Sequence, residues 1–444
     1  MSTPQAGYLL TTHDLGAPEG RNIGAAGYSY EFVLRALRPY IEQMGPVERV
    51  PNNPAAIRRA TTALRAQGLR PVHIGFLPYQ DFHFAQGAAN IVMPMWEFPD
   101  VPAEAWHGNR QYDWPATANR ADLTLASGPF TRGALVRGGV TRPVRVVPVP
   151  VPQAYFSLPP WAPAGIERID CPAYQFGPTE DHGSPPPAPV PGRRAASALG
   201  AMLLGRQGYD RLARGIKRLL RRRVLPYPLS GSIELRGVVY CSIFNPNDAR
   251  KNWQGLIAAF LAALGHRDDA TLVLKLATDD IGCVGHVIHT YRSLGPHRCR
   301  VAFICDYLSE ETLLSLCRAT AFYAHSTRAE GSCLPLMNHM AAGRPAISPA
   351  HSALGDYFDS QTGLVVHSEQ EPAAWPHDRE FRPRTTWARI DIDSLCRAFA
   401  DSHALALNRP EEYAAMGARA RSRMHAWAGR DAVMASLRAA LADV

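Results

Sequence analysis

The stretch TAFYAHSTRAEGSCLPLMNHMAAGRPAIS, residues 320–348, decides the fold that we predict for this chain. It reads as a strand over Thr320–Ala324, a polar loop over His325–Pro335, a helix over Leu336–Ala342 and a second strand over Pro345–Ser348. Strands and helices that alternate in this way form a parallel sheet with helices on both faces. The polar loop follows the carboxyl end of a strand, which is where open parallel sheets bind their ligands.

The same alternation extends outward in both directions from this stretch. In the second half of the chain, further strands are predicted over Gly237–Ile243, Thr271–Leu276 and Val301–Cys305. In the first half they are predicted over Tyr8–Leu10, Val72–Phe76, Ile91–Met93, Leu123–Ala126 and Val144–Val149. The sequence therefore predicts an α/β protein with two Rossmann-like domains.

Composition limits the class of protein to which this chain can belong. The chain has 444 residues, of which 46% are hydrophobic and 19% charged, enough to fill the cores of two or three domains. No apolar run is long enough to span a membrane, and the first residues lack the pattern of a secretory signal. We therefore expect a cytoplasmic protein. Its cysteines show no paired spacing that would favour a structural zinc site.

Four regions follow from these patterns. We expect an N-terminal domain over residues 1–155, a Pro-rich segment over 156–232, a second domain over 233–425, and a last helix over 426–444 that packs back on the first domain.

The Pro-rich segment carries the densest positive charge of a chain whose net charge is +8. Within it, Met202–Arg223 has apolar residues near helical spacing and arginines on its other faces. A basic amphipathic helix of this kind suits the anionic inner face of a membrane. The alternative is a helix that docks on its own domain and leaves the basic face in solvent. The positive charge also suits phosphorylated ligands; we expect no nucleic acid partner.

Two polar segments are predicted to meet at one edge of the second sheet. Asn245–Asn252 follows the strand over Gly237–Ile243, and His325–Pro335 follows the strand over Thr320–Ala324. The first segment places Arg250 and Lys251 at the start of a helix, where unpaired N–H groups and the helix dipole attract phosphate.

The second segment offers a carboxylate and a row of backbone amides. Glu330 can accept hydrogen bonds from sugar hydroxyls, and Gly331 lets the backbone approach a ligand closely. The amides of Gly331, Ser332, Cys333 and Leu334 are placed to face a pyrophosphate. Together the two segments predict a site for a ligand that carries a pyrophosphate and sugar hydroxyls.

The stretches FNPNDARKNWQGLIAAF (244–260) and HSTRAEGSCLPLMNHMAAGRPAI (325–347) resemble the C-terminal domain of family 4 glycosyltransferases of the GT-B fold. The stretches at 121–151 and 95–102 resemble parts of that family's N-terminal domain. The resemblance implies a GT-B architecture, in which two Rossmann-like domains face each other across a cleft. It spares the Pro-rich segment, which would be an insertion between the domains.

The resemblance also implies roles for single residues. Glu330 matches the glutamate that binds the donor sugar, and Lys251 matches the lysine that holds the donor diphosphate. Asn338 stands where the family has a second glutamate that holds the ribose, and Asn245 stands where it has an arginine. Arg250 is then the nearest cation that can replace that arginine. These two departures put the strength of donor binding in question.

The implied reaction is a retaining transfer of a hexose-type sugar to a glycan or lipid-linked acceptor in bacterial-type surface polysaccharide synthesis. Lys251 and Arg250 would stabilise the leaving diphosphate, and neither a metal nor another cofactor is expected. The acceptor would lie against the N-terminal domain, near Gly24, Gly27 and Glu97; a structural role for Glu97 is the alternative.

Two other classes of function remain open at this point. One is a binding protein for nucleotide sugars or glycans with weakened catalysis, which the departures at Asn245 and Asn338 favour. The other is a membrane-associated assembly protein, which the basic segment favours. Asp391-Ile-Asp393 has a form that binds metal in other glycosyltransferases, but its position before a helix favours capping.

Overall fold

The computed structural model describes residues 5–13, 27–163, 165–178, 225, 227–376, 378, 380–442 and 444. Two of the sequence predictions lie outside the described residues. These are the basic helix over Met202–Arg223 and the acceptor-side glycine Gly24. In the described part of the chain, no helix is both long and apolar enough to cross a membrane.

The N-terminal domain is built on a six-stranded sheet in which every paired strand is parallel to its neighbour, in the order β2-β1-β3-β4-β5-β6. Its strands are β1 (Ala6–Thr11), β2 (Val47–Arg49), β3 (Arg70–Gly75), β4 (Ala89–Val92), β5 (Leu123–Ala126) and β6 (Val144–Val146). Its helices are α1 (Tyr28–Ile41), α2 (Pro54–Ala66), α3 (Trp114–Ala118), α4 (Pro129–Arg137) and α5 (Gln153–Phe156), the last of which leads out of the domain. The inner strands are buried at nearly every position because helices cover both faces of the sheet.

The C-terminal domain is built on an eight-stranded sheet in the order β14-β13-β12-β9-β10-β11-β7-β8. Its strands are β7 (Glu167–Phe176), β8 (Ser230–Leu235), β9 (Val238–Phe244), β10 (Ala270–Leu276), β11 (Arg300–Ile304), β12 (Phe322–Ala324), β13 (Ala346–Ser348) and β14 (Gly363–Val365). Its helices are α6 (Trp253–Leu264), α7 (Ile281–Arg292), α8 (Glu310–Ala319), α9 (Leu334–Ala341), α10 (Ile392–Asn408) and α11 (Pro410–Ala428). The strands from β9 to β14 are parallel, so their carboxyl ends share one edge. Asp391 caps α10 by accepting a hydrogen bond from Ser394 N (3.0 Å), which confirms capping as the interpretation of Asp391-Ile-Asp393.

The prediction of a linker over 156–232 is wrong for two of its parts. β7 and β8 pair with each other and with β11 in antiparallel fashion, and so extend the C-terminal sheet. Pro172 lies inside β7, at a shift of register between Asp170 and Ala173. A proline in a strand is tolerated at such a bulge because no ladder hydrogen bond is lost there. The proline-rich composition hid the strand from the sequence analysis.

The last helix, α12 (Arg430–Leu441), returns to the N-terminal domain. Its buried face, which includes Val433 and Leu437, packs in the core formed by β1, β3 and α1. In the described part of the chain, the backbone passes to the C-terminal domain after β6 and returns after α11.

A two-stranded hairpin formed by β15 (Ser368–Ala373) and β16 (Thr385–Ile390) reaches from the C-terminal domain to the N-terminal domain. The buried ring of Trp375 lies 6.2 Å from that of Trp96 and 5.3 Å from that of Trp106. Thr385 Oγ1 donates a hydrogen bond to Asp100 Oδ2 (3.1 Å). The β15–β16 hairpin thus ties the two domains together beside the cleft.

Replacing Trp375 by alanine should lower the free energy of unfolding by about 3 kcal/mol, because a buried tryptophan loses its contacts with both partner rings. Urea unfolding followed by far-ultraviolet circular dichroism measures the change. Phe381→Ala on the same hairpin is the matched control, since Phe381 is 77% exposed and its loss should cost less than about 0.5 kcal/mol. Equal effects of the two substitutions would contradict the role of Trp375 as the domain contact.

Candidate active site in the cleft between the domains

The topology brings the two polar segments of the C-terminal domain into contact. β9 and β12 are paired neighbours, with Tyr240 opposite Phe322, so the loops that follow them leave the sheet side by side. Arg328 N donates to Arg250 O (2.7 Å), and Ser326 Oγ donates to Asn252 O (3.0 Å). Hydrogen bonds to the backbone of the other segment therefore fix the loop over 325–335 in the absence of a ligand.

Arg250 and Lys251 do not lie in the first turn of α6, as the sequence analysis expected. They belong to a short 3₁₀ turn over Ala249–Lys251 that Asp248 caps, and α6 begins only at Trp253. Asn252 separates the two elements with a left-handed backbone (φ 47°). This break turns both cations away from the helix axis and toward Glu330.

The carboxylate of Glu330 is the centre of the site. Its side chain is buried, and it is ion-paired with Lys251 Nζ, with Arg250 (3.2 Å) and with His325 Nε2 (3.0 Å). Burial by itself would raise the pKa of Glu330, but Lys251 and Arg250 hold it well below the ordinary value. For His325, burial acts in the other direction and lowers the pKa. The adjacent Cys333 and Glu330 outweigh this effect and raise the pKa of His325 to about 9. Glu330 is therefore an ionised, fixed hydrogen-bond acceptor at neutral pH.

Arg250 joins the two domains through this cluster. Its Nε contacts Asp248 Oδ2 (2.8 Å), and its Nη2 contacts Glu97 Oε1 of the N-terminal domain (3.1 Å). Its Nη1 also donates to Ala329 O (2.8 Å). Burial raises the pKa of the Glu97 carboxyl, and the Arg250 guanidinium opposes that rise. Glu97, which we expected on the acceptor side, thus reaches the predicted donor cations across the cleft.

Gly331 lies against the N-terminal domain. A Cβ atom at this position would lie 3.1 Å from Trp96 O, so the N-terminal domain occupies the space beside its Cα atom. Ser127 Oγ also donates to Gly331 O (2.9 Å). Glycine at 331 therefore permits the close approach of the two domains.

The remaining predicted donor residues form the turn into α9. Ser332 Oγ donates to Gly331 O (2.7 Å), and Tyr357 Oη donates to Ser332 O (2.6 Å). Cys333 has a left-handed backbone (φ 57°) and precedes α9, whose first residue is Leu334. The amides at this helix start have the polarity that binds anions.

The two asparagines that replace charged residues of the resembled family have other partners. Asn338, on α9, lies near Tyr155 of α5, the segment that leaves the N-terminal domain; burial raises the pKa of Tyr155 and Asn338 opposes that rise. Asn245 Oδ1 accepts from Asn247 N (3.0 Å), which fixes the turn after β9. Asn338 is thus tied to the domain crossing, and Asn245 shapes the loop that carries Arg250.

In the N-terminal domain, near the predicted acceptor residue Gly27, the structure shows a polar pair that the sequence did not predict. His13 follows the carboxyl end of β1, and its Nε2 contacts Asp81 Oδ2 (2.9 Å). Gly27 lies against His13: a Cβ atom there would come within 2.2 Å of His13 Nδ1, and its φ of 85° also favours glycine. The rule that polar residues at strand ends mark sites would have found His13.

Asp356 makes a further polar contact between the domains. Its carboxylate accepts a hydrogen bond from Phe130 N in the first turn of α4 (3.1 Å). Burial raises the pKa of Asp356 to about 6, and the hydrogen bond from Phe130 opposes the rise. The folded protein therefore holds this proton at a pH where the unfolded chain, with the ordinary value of 3.8, has lost it.

In the unaltered protein, the free energy of unfolding should fall as pH rises from about 4 to about 6, because Asp356 must then ionise in a buried position. Asp356→Asn should abolish this fall. Asparagine keeps an acceptor for Phe130 N without the buried charge, so the variant should gain about 1 kcal/mol at pH 7 after allowance for screening by solvent. Urea unfolding between pH 4 and pH 8 measures it. Asp359→Asn should have the opposite sign, because Arg423 holds the pKa of Asp359 below its ordinary value. A loss of stability in Asp356→Asn at pH 7 would contradict the account.

Comparison with solved structures identifies the class of fold. HepE of Anabaena, solved in complex with UDP, superposes with a TM-score of 0.56 at 12% identity, over 99% of this chain and 100% of that one. Sucrose-phosphate synthase of Thermosynechococcus elongatus gives 0.57 at 14% identity, over 98% of each chain. A glycosyltransferase of Rickettsia africae gives 0.55 at 9% identity, over 99% of this chain and 98% of that one.

The chain has the GT-B fold, with two Rossmann-like domains that face each other, as the sequence predicted. No protein-family model matches the chain, and no curated protein matches it in sequence. The Glu330 cluster lies at the carboxyl ends of β9 and β12, the edge at which sheets of this kind bind ligands.

Proposed function

We propose that this protein is a glycosyltransferase that moves a hexose-type sugar from a nucleotide diphosphate sugar to a hydroxyl group of a glycan or lipid-linked acceptor, with retention of configuration. The observation that carries the proposal is the cluster of Arg250, Lys251 and Glu330 at the strand ends, next to the start of α9.

The donor diphosphate would bind between the two cations and the amides that precede α9. Lys251 and Arg250 are now paired with Glu330, and a diphosphate offers each of them a second anionic partner. Glu330 would then accept hydrogen bonds from sugar hydroxyls. Fixed cations of this kind stabilise the charge that develops on the leaving diphosphate, and such preorganised charge is usually the largest catalytic term. This chemistry needs no metal ion.

The acceptor hydroxyl would enter from the side of His13, Gly27 and Glu97. Arg250 links Glu97 to the donor cations, so the acceptor and the diphosphate would meet at that residue. The proposal of retention rests on the family 4 resemblance. The same resemblance, together with the basic segment Met202–Arg223, supports a place in surface polysaccharide synthesis at the inner face of a membrane.

His13→Ala should raise KM for the acceptor about tenfold and leave donor hydrolysis unchanged, because the proposal assigns His13, which pairs with Asp81, to the acceptor side. Steady-state kinetics with donor and acceptor varied in turn measures both. His289→Ala, on α7 of the other domain, is the control. His73→Gln would not serve, because His73 is fully buried. An equal loss in donor hydrolysis would place His13 elsewhere in the mechanism.

A panel of nucleotide sugars, scored for thermal stabilisation and for slow hydrolysis, tests the proposed function. Stabilisation with hydrolysis identifies the donor, and NMR of the product then reports retention or inversion. Stabilisation without turnover on any acceptor would favour the second candidate, a nucleotide-sugar-binding protein with weakened catalysis, which the replacement at Asn338 supports. No stabilisation by any nucleotide sugar would overturn both.

A further inference from the structure

The loop over 325–335 holds three side chains that can each bind a metal ion. His325, Glu330 and Cys333 offer a nitrogen, an oxygen and a sulfur atom that all lie within 4.8 Å of one another. The three residues are 2%, 4% and 8% exposed. Among the residues that the structure describes, no other group of three histidine, cysteine or acidic side chains has this spacing.

The two distances from His325 Nε2 to the other ligand atoms are close to those of a tetrahedral site. With ordinary zinc bond lengths, neighbouring ligands are separated by about 3.4 Å for nitrogen and oxygen and by about 3.6 Å for nitrogen and sulfur. His325 Nε2 lies 3.0 Å from Glu330 Oε1 and 3.6 Å from Cys333 Sγ. A small shift of the imidazole therefore suffices to admit an ion between them.

The backbone that carries these side chains is already fixed. Glu330 N donates to Ser352 Oγ (3.0 Å), and Glu330 O accepts from Ala353 N (3.2 Å). Tyr357 Oη holds Ser332 O, next to Cys333. The ligands would thus be held in place without the cost of ordering a loop.

A cationic group already occupies one side of this cluster. Lys251 Nζ is ion-paired with the same Glu330 oxygen that faces His325. A metal ion bound there would replace the ammonium group, and the flexible Lys251 side chain, which is 13% exposed, can move into the cleft. With a metal ion bound, Glu330 could no longer contact the donor sugar, and Lys251 would have left the place where it contacts the diphosphate.

We propose that His325, Glu330 and Cys333 form a binding site for Zn²⁺ or a similar soft divalent ion, and that this ion and the nucleotide-sugar donor exclude each other. A thiolate, an imidazole and a carboxylate suit Zn²⁺ or Co²⁺, whereas Mg²⁺ prefers oxygen ligands alone. Three protein ligands leave a fourth position for water. Only the exclusion of the donor rests on the proposed function; the metal site itself does not.

A second histidine–cysteine pair in the same domain provides the matched control. His297 Nδ1 lies 3.4 Å from Cys299 Sγ in a buried position. In the described chain, no third histidine, cysteine or acidic side chain lies close enough to complete a metal site there. Cys299→Ser should therefore leave metal binding unchanged, although it removes a thiol of similar burial.

The test is a titration of the full chain with Co²⁺, followed by absorption spectroscopy. We expect about one Co²⁺ per chain, with the intense visible bands of tetrahedral cobalt and a thiolate charge-transfer band in the near ultraviolet. Both should disappear in Cys333→Ser and in His325→Gln and persist in Cys299→Ser. Circular dichroism of each variant verifies that it is folded. Absence of the bands in the unaltered protein, or their survival in Cys333→Ser, would overturn the site.

Calorimetry with UDP separates this inference from the proposed function. UDP should bind the metal-free protein, and saturating Zn²⁺ should weaken that binding at least about tenfold. This weakening should be absent in Cys333→Ser. UDP binding unaffected by Zn²⁺, in a protein that shows the Cys333-dependent bands, would overturn the exclusion of the donor. Failure of UDP and of every other nucleotide to bind the metal-free protein would count against the proposed function and leave the metal site standing.

Discussion

Glu330→Gln should lower glycosyl transfer about a hundredfold, which corresponds to about 2.7 kcal/mol of transition-state stabilisation. Glutamine has the shape of glutamate but lacks its charge, so Lys251 and Arg250 lose the anion that orients them. Hydrogen bonds to the donor sugar would weaken at the same time. Initial rates at saturating donor, together with the apparent affinity for the donor, measure the two effects.

Glu369→Gln is the control for this substitution. Glu369 also pairs with an arginine, Arg389, but lies on the β15–β16 hairpin with a side chain that is 75% exposed. Exposed pairs contribute little, so the control should retain nearly full activity. A rate close to normal in Glu330→Gln, with a normal rate in the control, would show that the cluster is not the donor site.

Arg250→Met should destabilise the protein by about 2–3 kcal/mol, less than the usual cost of breaking a fully buried ion pair, because Glu330 is buried but Asp248 and Glu97 are partly exposed. Its guanidinium contacts Asp248, Glu97 and Glu330 through different nitrogen atoms, and all three carboxylates would be left without it. Transfer should fall at least as far as in Glu330→Gln. Urea unfolding and initial rates measure the two losses.

Two further variants make the role of Arg250 specific. Arg250→Lys should fail to restore stability, because an ammonium group cannot reproduce the geometry of three guanidinium nitrogens. The double variant Arg250→Met with Glu97→Gln should lose less than the sum of the single variants, because position 97 then no longer carries a partly buried charge that has lost Arg250. Strict additivity of the two substitutions would contradict the bridge between the domains. Arg389→Met, at an exposed pair, should cost less than about 0.5 kcal/mol.

The sequence predicted the architecture of both domains well. The apolar strands, such as the one found over Val238–Phe244, recur between helices at intervals that only a parallel sheet satisfies. The elements observed in the 320–348 stretch differ from the prediction by two residues at the start of β12 and of α9. Local hydrophobic pattern is enough here because it decides which backbone forms and which face is buried.

The sequence predicted less of what joins the domains. β7 was hidden by Pro172, whose tolerance depends on a bulge opposite β8. The β15–β16 hairpin was not predicted, and Trp375 finds its partners in the other domain. Contacts of this kind join residues that are far apart in the chain, and no local pattern encodes them.

By itself, the sequence determined that Lys251 and Glu330 would approach each other, because the carboxyl ends of paired parallel strands share one edge. Only the tertiary structure decided that Arg250 would bridge to Glu97, that Gly331 would face Trp96, and that His325 and Cys333 would close around Glu330. The physical reason is that sheet topology fixes where a loop emerges. The partners of its side chains depend on how the loop folds and on how the second domain docks against it.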